Sequence, residues 1–362
     1  MINETSEFHT NTDALFRRRA DALLHSCAMS AVFLPIVFII VGFLLLVKGA
    51  GWLVDGSSSL AKRLGVSDLA IGLTIVAFGT STPELIVNIV ASFQGNADIA
   101  IGNIVGSNIF NVLFILGISA MIAPIAVQRS TTLKEIPLSL LAALVLFAMA
   151  NDVMLDGAAG SILTHIDGIV FLAFFILFLV YTVGLRQAEG TEESQHKQRT
   201  VLLSVGMVFI GLVSLVIGGK LTVDAAVTVA RTLGVSEALI GLTIVAAGTS
   251  LPELATSTVA AYRGNADIAV GNIVGSNIFN IFLILGVSAL IRPIPFSPAS
   301  NFDILVLIIT TLLLFIIVHN GLPHSRLLLW WKQKNNYIIR RWEGAVMLAS
   351  YIVYIGYISY RG

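Results

Sequence analysis

The chain has 362 residues, of which 56% are hydrophobic and only 12% are charged, and its formal net charge is zero. Soluble domains carry about 25% charged residues, so the composition excludes an ordinary soluble protein and predicts an integral membrane protein. A single cysteine, Cys27, excludes a disulfide framework and a cysteine-based metal centre. No two of the six histidines are three or four positions apart, which argues against a histidine metal site. Nothing indicates nucleic-acid binding.

The predicted elements are all helices. A polar N-terminal tail, residues 1–30, precedes ten apolar runs that are long enough, or nearly so, to cross a bilayer. These runs are 31–54, 68–93, 99–123, 134–150, 161–185, 200–220, 237–262, 268–291, 302–318 and 343–360. A charged segment, 186–199, separates five spans from five and is predicted to be a solvated linker. The predicted organisation is therefore a five-span unit at 31–185 and a second one at 200–362.

The two units contain the same motif. The sequence Gly-Thr-Ser-Thr-Pro-Glu at 79–84 returns as Gly-Thr-Ser-Leu-Pro-Glu at 248–253, 169 positions later. Residues 72–117 align without a gap to 241–286, with 33 of 46 positions identical. Because five spans, an odd number, separate the copies, the second copy should cross the membrane in the opposite direction. The sequence thus predicts an all-α membrane protein of ten transmembrane helices in two inverted five-helix repeats, an arrangement typical of secondary transporters.

Basic residues predict the orientation. The loops after the odd-numbered spans carry 13 Lys and Arg, against 7 on the side of the termini. Because cytoplasmic loops are enriched in these residues, both termini are expected outside and the linker 186–199 in the cytoplasm. The plasma (inner) membrane is the expected location. The basic, aromatic loop 319–342 is expected to anchor the protein at the lipid headgroups.

The repeated motif places a proline and a carboxylate within an apolar span. Proline removes a main-chain donor, and a glutamate at bilayer depth costs about 2.5–3.5 kcal/mol on insertion scales. Pro83 should free carbonyls about one turn back, near Gly79 and Ala77, and Glu84 adds a carboxylate. Such oxygens suit calcium or sodium. The candidate ligands of the two copies are Ala77, Thr80, Ser81, Glu84, Ser107 and Asn111, and Ala246, Thr249, Ser250, Glu253, Ser276 and Asn280.

Other repeated polar residues have structural interpretations. Asn103, Asn108, Asn272 and Asn277 could equally well only bond between helices. Asn88 and Ser257 lie on the same helix faces as the glutamates and could add oxygens. Gly95 and Asp98, like Gly264 and Asp267, are expected to end one helix and cap the next. Asp55 and Asp224 are expected near span ends.

These duplicated motifs, together with Gly-Asn-Ile-Val-Gly-Ser-Asn-Ile at 102–109 and 271–278, resemble the α-repeats of the calcium/cation antiporter superfamily, which includes sodium/calcium exchangers. The resemblance covers essentially 31–360. It implies a core of spans 2, 3, 7 and 8 around the ions, past which spans 1 and 6 slide. It also implies that Glu84 and Glu253 are the main ligands and that the other candidates, with the carbonyls of Ala77 and Ala246, complete the sites.

One departure concerns the transported ions. Characterised sodium/calcium exchangers often have aspartate where this chain has Asn111 or Asn280. The leading hypothesis is a calcium/sodium antiporter, with a proton-coupled exchanger as the nearest alternative and potassium as a further counter-ion. A passive channel and an intramembrane enzyme are disfavoured, because there is no filter-like loop and no nucleophile–base pair. No cofactor is expected, the oligomeric state is open, and by analogy a monomer would function.

Overall fold

The computed structural model describes residues 4–157, 159–184, 199–235, 246–320 and 337–361, with side chains of the first helix from Phe33 onward. Its helices are α1 Glu4–Leu64, α2 Asp68–Thr80, α3 Thr82–Gln94, α4 Ala97–Ile122, α5 Thr131–Met149, α6 Asp152–Asp156, α7 His165–Val183, α8 Val201–Thr232, α9 Ala246–Gly248, α10 Leu251–Tyr262, α11 Ala266–Ile291, α12 Asn301–Asn320 and α13 Arg341–Arg361. Two-residue strands pair antiparallel: β1 Ile125–Ala126 with β4 Ile338–Ile339, and β2 Ile162–Leu163 with β3 Ile294–Pro295.

Seven of the described helices are long and apolar enough to cross a membrane, or eight if the bent pair α2 and α3 is one span. The mostly helical membrane fold is therefore confirmed, and the count of ten is not. The predicted seventh span, 237–262, lies partly outside the described residues. The predicted tenth span is the 21-residue helix α13, whose four tyrosines lower its hydropathy.

Two helices continue well past the predicted ends of their spans. Span 1 was predicted to end at 54 and span 6 at 220, whereas α1 ends at Leu64 and α8 at Thr232. The polar residues in these extensions stopped the apolar runs without stopping the helices, because each extension packs on other helices. The predicted tail 1–30 is helical from Glu4 and continues directly into span 1.

Helices α1 and α8 pack against each other through small residues, from Gly42 to Ser59 on α1 and from Ser204 to Thr222 on α8. A Cβ atom on Gly49 would lie 2.9 Å from the carbonyl oxygen of Gly211, and one on Gly218 would lie 2.8 Å from that of Gly42. Glycine permits this close approach because it has no Cβ atom, and such contacts are common between membrane helices. The two helices form one elongated layer beside the centre of the protein.

The centre is formed by α4 and α11. About 83% of the most apolar window of α11 and 78% of that of α4 is buried within the protein, against 22% for α7 and 28% for α1. The more exposed helices present apolar side chains at the surface, as lipid contact requires. Because lipid-facing helices surround α4 and α11, polar side chains on these two helices are kept away from the hydrocarbon.

The repeated motif breaks the second span. Helices α2 and α3 meet at Ser81 with a bend of 48°, and Pro83 lies in the first turn of α3, where its missing N–H costs little. Both α4 and α11 contain a π-helical segment, Phe110–Leu116 and Phe279–Leu285. Such segments are frequent at functional sites, and here each one follows the repeated Gly-Ser-Asn-Ile sequence directly.

The turns between motif helices correct one prediction. Gly95 and Gly264 have positive φ angles, 72° and 75°, as expected for glycines that end helices. The next helix, however, is capped by asparagine: Asn96 accepts from the N–H of Ile99, and Asn265 from that of Ile268. Asp98 and Asp267 lie two positions after the cap, within the first turn. The linker 186–198 and most of the loop 319–342 lie outside the described residues.

Candidate cation site

The two repeated glutamates lie at equivalent places. Glu84 is in the first turn of α3 and Glu253 in the first turn of α10, and both are completely buried. The N-terminal turn of a helix carries a partial positive charge, which favours a carboxylate there. The break in the span therefore gives each acidic side chain a stabilised place inside the protein.

Each glutamate accepts a hydrogen bond from the serine of the other copy. Ser250 donates to Oε1 of Glu84 at 2.9 Å, and Ser81 donates to Oε1 of Glu253 at 2.9 Å. Both serines are buried, with exposed fractions of 0% and 2%. The two hexapeptides, 169 positions apart, thus meet at one place in the fold.

Helices α4 and α11 contribute a serine each. Ser107 lies 3.4 Å from Oε1 of Glu84 in its own copy and 2.9 Å from Ser250 in the other. Ser276 lies 3.4 Å from Oε1 of Glu253. Both predicted serines therefore join the network of the glutamates.

The threonines and alanines are less symmetric. Thr80 donates to Oδ1 of Asn272 at 2.9 Å, whereas Thr249 Oγ1 is buried and has no hydrogen-bond partner among the described residues. The carbonyl of Ala77 accepts from the N–H of Ser81 at 3.0 Å, so the expectation that Pro83 frees it was wrong. The same expectation for Gly79 stands, because Pro83, four residues later, has no N–H to donate to the Gly79 carbonyl. Ala246 is the first residue of α9.

Asn111 and Asn280 lie next to the same network and are fully buried. Asn111 donates through Nδ2 to Oδ1 of Asn277 at 3.0 Å, and Asn280 donates to Oδ1 of Asn108 at 2.8 Å. Asn280 also donates to Ser107 at 3.3 Å. The two candidate ligands are thus held by the asparagine three residues earlier in the opposite copy.

The other repeated asparagines bond between helices, as their structural interpretation predicts. Asn103 donates to Oδ1 of Asn88 at 2.7 Å and to the carbonyl of Glu84 at 3.5 Å. Asn272 likewise donates to Ser257 at 2.9 Å and to the carbonyl of Glu253 at 3.4 Å. Through Asn88 and Ser257, these bonds connect α3 to α4 and α10 to α11.

Five buried oxygens of the network have no hydrogen-bond partner in the described part of the chain. They are Oε2 of Glu84, Oε2 of Glu253, Oδ1 of Asn111, Oδ1 of Asn280 and Oγ1 of Thr249. An unsatisfied buried polar atom costs about 1–3 kcal/mol and a charged one more. Carboxylate, amide and hydroxyl oxygens are the ligands that calcium and sodium prefer, so this arrangement can bind such a cation.

One further set of contacts was not expected from the sequence. Asp55, expected near the end of its span, lies inside α1, nine residues before the helix ends at Leu64, and forms an ion pair with Arg263. Arg263 also donates to the carbonyl of Gly51 at 2.9 Å, and Asn265 donates to Ser58 at 2.8 Å. We call these contacts of residues 263–265 with α1 the clasp. No short-range pattern could indicate it, because its partners are more than 200 positions apart.

Comparison with known proteins identifies the family. The sequence model of the family described as "Sodium/calcium exchanger protein" matches residues 34–184 and 203–360. The chain is 39% identical to the inner membrane protein YrbG of Escherichia coli over 288 residues, covering 76% of this chain and 86% of YrbG. It is 32% identical to the sodium/calcium exchanger MaX1 of Methanosarcina acetivorans over 358 residues, covering 90% of this chain and 98% of MaX1.

The fold agrees with that of a solved exchanger. A structure of the sodium-calcium exchanger NCX_Mj aligns with a TM-score of 0.74 at 35% identity, covering 90% of this chain and 99% of NCX_Mj. Both repeats and the whole candidate site fall within the residues that the family model matches. The chain therefore belongs to the sodium/calcium exchanger family of membrane antiporters.

Proposed function

We propose that the protein is a secondary antiporter that exchanges calcium for sodium by alternating access, in the plasma (inner) membrane. The observation that carries this proposal is the pair of buried glutamates with unpartnered carboxylate oxygens, each bonded to the serine of the other copy. Two carboxylates neutralise one calcium ion, and the neighbouring amide and hydroxyl oxygens complete a set of hard ligands.

In this proposal Glu84 and Glu253 bind either calcium or the sodium ions, and competition for shared oxygens enforces exchange. Ser107, Ser276, Asn111 and Asn280 add side-chain oxygens. Thr80, Thr249, Ser81 and Ser250, with the carbonyls of Ala77 and Ala246, line the flanking positions. The chain has ten spans in two inverted repeats, with both termini outside and the linker 186–199 in the cytoplasm. Helices α1 and α8 slide as one layer past the central helices.

A second candidate is a calcium/proton exchanger, which the neutral residues at 111 and 280 favour. With two carboxylates and no third, the site compensates one calcium better than several sodium ions together. In this alternative the glutamates take up protons when calcium leaves. The cation site and the sliding layer are the same in both candidates, and the driving ion differs.

Calcium uptake into inverted membrane vesicles, driven in turn by a sodium gradient and by a pH gradient, tests both candidates. We expect sodium-driven uptake that saturates with calcium and is absent from vesicles containing Glu84→Gln. Uptake driven by the pH gradient alone would establish the second candidate instead. Calcium flux that is independent of both gradients would indicate a passive channel and would contradict both proposals.

A further inference from the structure

A hydrogen-bonded group of four asparagines connects α4 and α11 beside the proposed cation site. Asn108 and Asn277 are equivalent in the two copies, have exposed fractions of 0% and 1%, and are not among the predicted ligands. Nδ2 of Asn108 donates to the main-chain carbonyl of Asn277 at 3.1 Å, and Nδ2 of Asn277 donates to that of Asn108 at 3.3 Å. The side-chain NH2 group of each asparagine therefore donates to the main chain of the opposite helix.

These bonds determine which way the first pair of amides faces. A main-chain carbonyl can only accept, so the NH2 group of Asn108 must face the carbonyl of Asn277, and the reverse. The side-chain oxygens of Asn108 and Asn277 then point the other way. There they accept from Nδ2 of Asn280 at 2.8 Å and from Nδ2 of Asn111 at 3.0 Å.

The second pair of amides is thereby determined as well. Because the NH2 group of Asn111 faces Asn277, the side-chain oxygen of Asn111 faces the proposed site. The NH2 group of Asn280 faces Asn108, so the oxygen of Asn280 faces the site as well. These are the two amide oxygens that are buried without a hydrogen-bond partner among the described residues. The opposite orientation would bring two amide oxygens together and present NH2 donors to a cation.

We infer that Asn108 and Asn277 are positioning residues that turn the amides of Asn280 and Asn111 so that their oxygens face the transported cation. The inference rests on the proposed function, since it concerns ligands of that cation. Each repeat thus orients a ligand of the other, so the amide ligands of one copy depend on the presence of the second copy. Loss of a hydrogen bond to a metal ligand typically weakens metal binding about 10- to 100-fold.

Equilibrium binding of ⁴⁵Ca²⁺ to the purified full-length protein in detergent tests the inference without requiring transport. We expect Asn277→Ala to bind calcium about 10- to 100-fold more weakly than wild type, because the Asn111 amide is free to turn. The matched control is Asn301→Ala. It removes a reciprocal amide pair, with bonds of 2.8 and 2.7 Å between Asn151 and Asn301, at the ends of α5 and α12, and should bind as wild type.

A double-mutant cycle separates orientation from a purely structural role. In an Asn111→Asp background both ends of side chain 111 are oxygens and the bond to Asn277 is already lost, so either orientation presents an oxygen to the cation. Adding Asn277→Ala there should therefore weaken binding by less than about threefold. A structural role of Asn277 through its bond to the main-chain carbonyl of Asn108 would cost the same in both backgrounds. The equivalent cycle with Asn108→Ala and Asn280→Asp provides the test in the other copy if Asn277→Ala does not fold.

The outcomes distinguish this inference from the proposed function. Wild-type binding by Asn277→Ala, or an equal loss in both backgrounds, overturns the inference while Glu84→Gln still abolishes binding. If wild type and Glu84→Gln bind calcium equally, the proposed site fails and the inference fails with it. A loss confined to the Asn111 background, with Asn301→Ala unchanged, supports the inference.

Discussion

The turns after α10 and after α3 occupy equivalent positions in the two copies but make different contacts. Residues 263–265 hold α1 through the clasp, with Arg263 bonded to Gly51 and Asp55. In the other copy Gln94 replaces Arg263, and Asp224, the equivalent of Asp55, pairs with Lys220 on its own helix at 2.9 Å. The side chains of this second pair are 76% and 62% exposed.

The two copies are alike at the candidate site and differ in the contacts of these turns. Each glutamate accepts from the serine of the other copy and lies near the serine of its own central helix, as the proposed cation shared by both copies requires. Among the described residues the clasp is present in one copy, where it ties α1 to the turn between α10 and α11. We expect it to stabilise the state in which the end with the clasp is closed, so a symmetric site operates between two unequal end states.

The largest expected effect tests the symmetry of the site. Glu84→Gln and Glu253→Gln should each lower calcium transport at least about 100-fold, because removing one buried charge of a compensated set costs about 3–5 kcal/mol. Gradient-driven ⁴⁵Ca²⁺ uptake, normalised to the amount of inserted protein, measures it. Glu343→Gln is the control: Glu343 is also fully buried in the first turn of a helix, where it caps α13, and glutamine can keep that bond. Normal transport by either variant would contradict the expectation that both glutamates are required.

A smaller effect distinguishes the two serines. Ser250 contacts both Glu84 and Ser107, whereas Ser81 contacts Glu253. Ser250→Ala should weaken the apparent calcium affinity about tenfold, given the 1.5–3 kcal/mol of a hydrogen bond to a charged group, and Ser81→Ala somewhat less. Calcium-dependence curves of uptake give both values, with Ser288→Ala, a buried serine later in α11, as the control. A larger loss in Ser81→Ala would reverse the assigned order.

The clasp is tested by giving the turn after α10 the residue that the turn after α3 has at the equivalent position. Arg263→Gln should shift the population of end states by up to about tenfold, corresponding to about 1.4 kcal/mol for an ion pair with an additional hydrogen bond. Apparent calcium affinity should then increase on the side of the clasp, because a larger fraction of the protein is open there. Affinities in right-side-out and inverted vesicles measure this. Lys220→Gln is the matched control, and an unchanged ratio in Arg263→Gln would show that the clasp does not bias access.

The reverse substitution should have the smallest effect. Gln94→Arg offers Asp224 a new partner at the other end, but that carboxylate is 62% exposed and already paired with Lys220. An exposed ion pair contributes about 0.2–1 kcal/mol, so the ratio of the two affinities should move about twofold, opposite to Arg263→Gln. The same two vesicle preparations measure it. A shift in the same direction would contradict the expected equivalence of the two ends.

Much of the candidate site could be predicted from the sequence. A proline and a glutamate within an apolar run are costly, and their duplication with the same spacing pointed to Glu84 and Glu253. The spacing of four between Ser107 and Asn111 predicted one helix face for both, and in the structure both contact residues of the other copy. The ends of α1 and α8 could not be predicted, because polar residues such as Asp55 interrupt the apolar run while tertiary packing keeps the helix intact.

What the sequence by itself determined is the membrane class, the duplication, the break at Pro83 and the family, since these follow from local composition and order. Only the tertiary structure decided the pairing. Ser81 bonds to Glu253 of the other copy, and Asn277 orients Asn111. Spacing along a helix determines which side chains share a face, but not which helix lies opposite. Which helix lies opposite depends on packing between segments about 170 residues apart. This packing brings the two broken helices together in one candidate site.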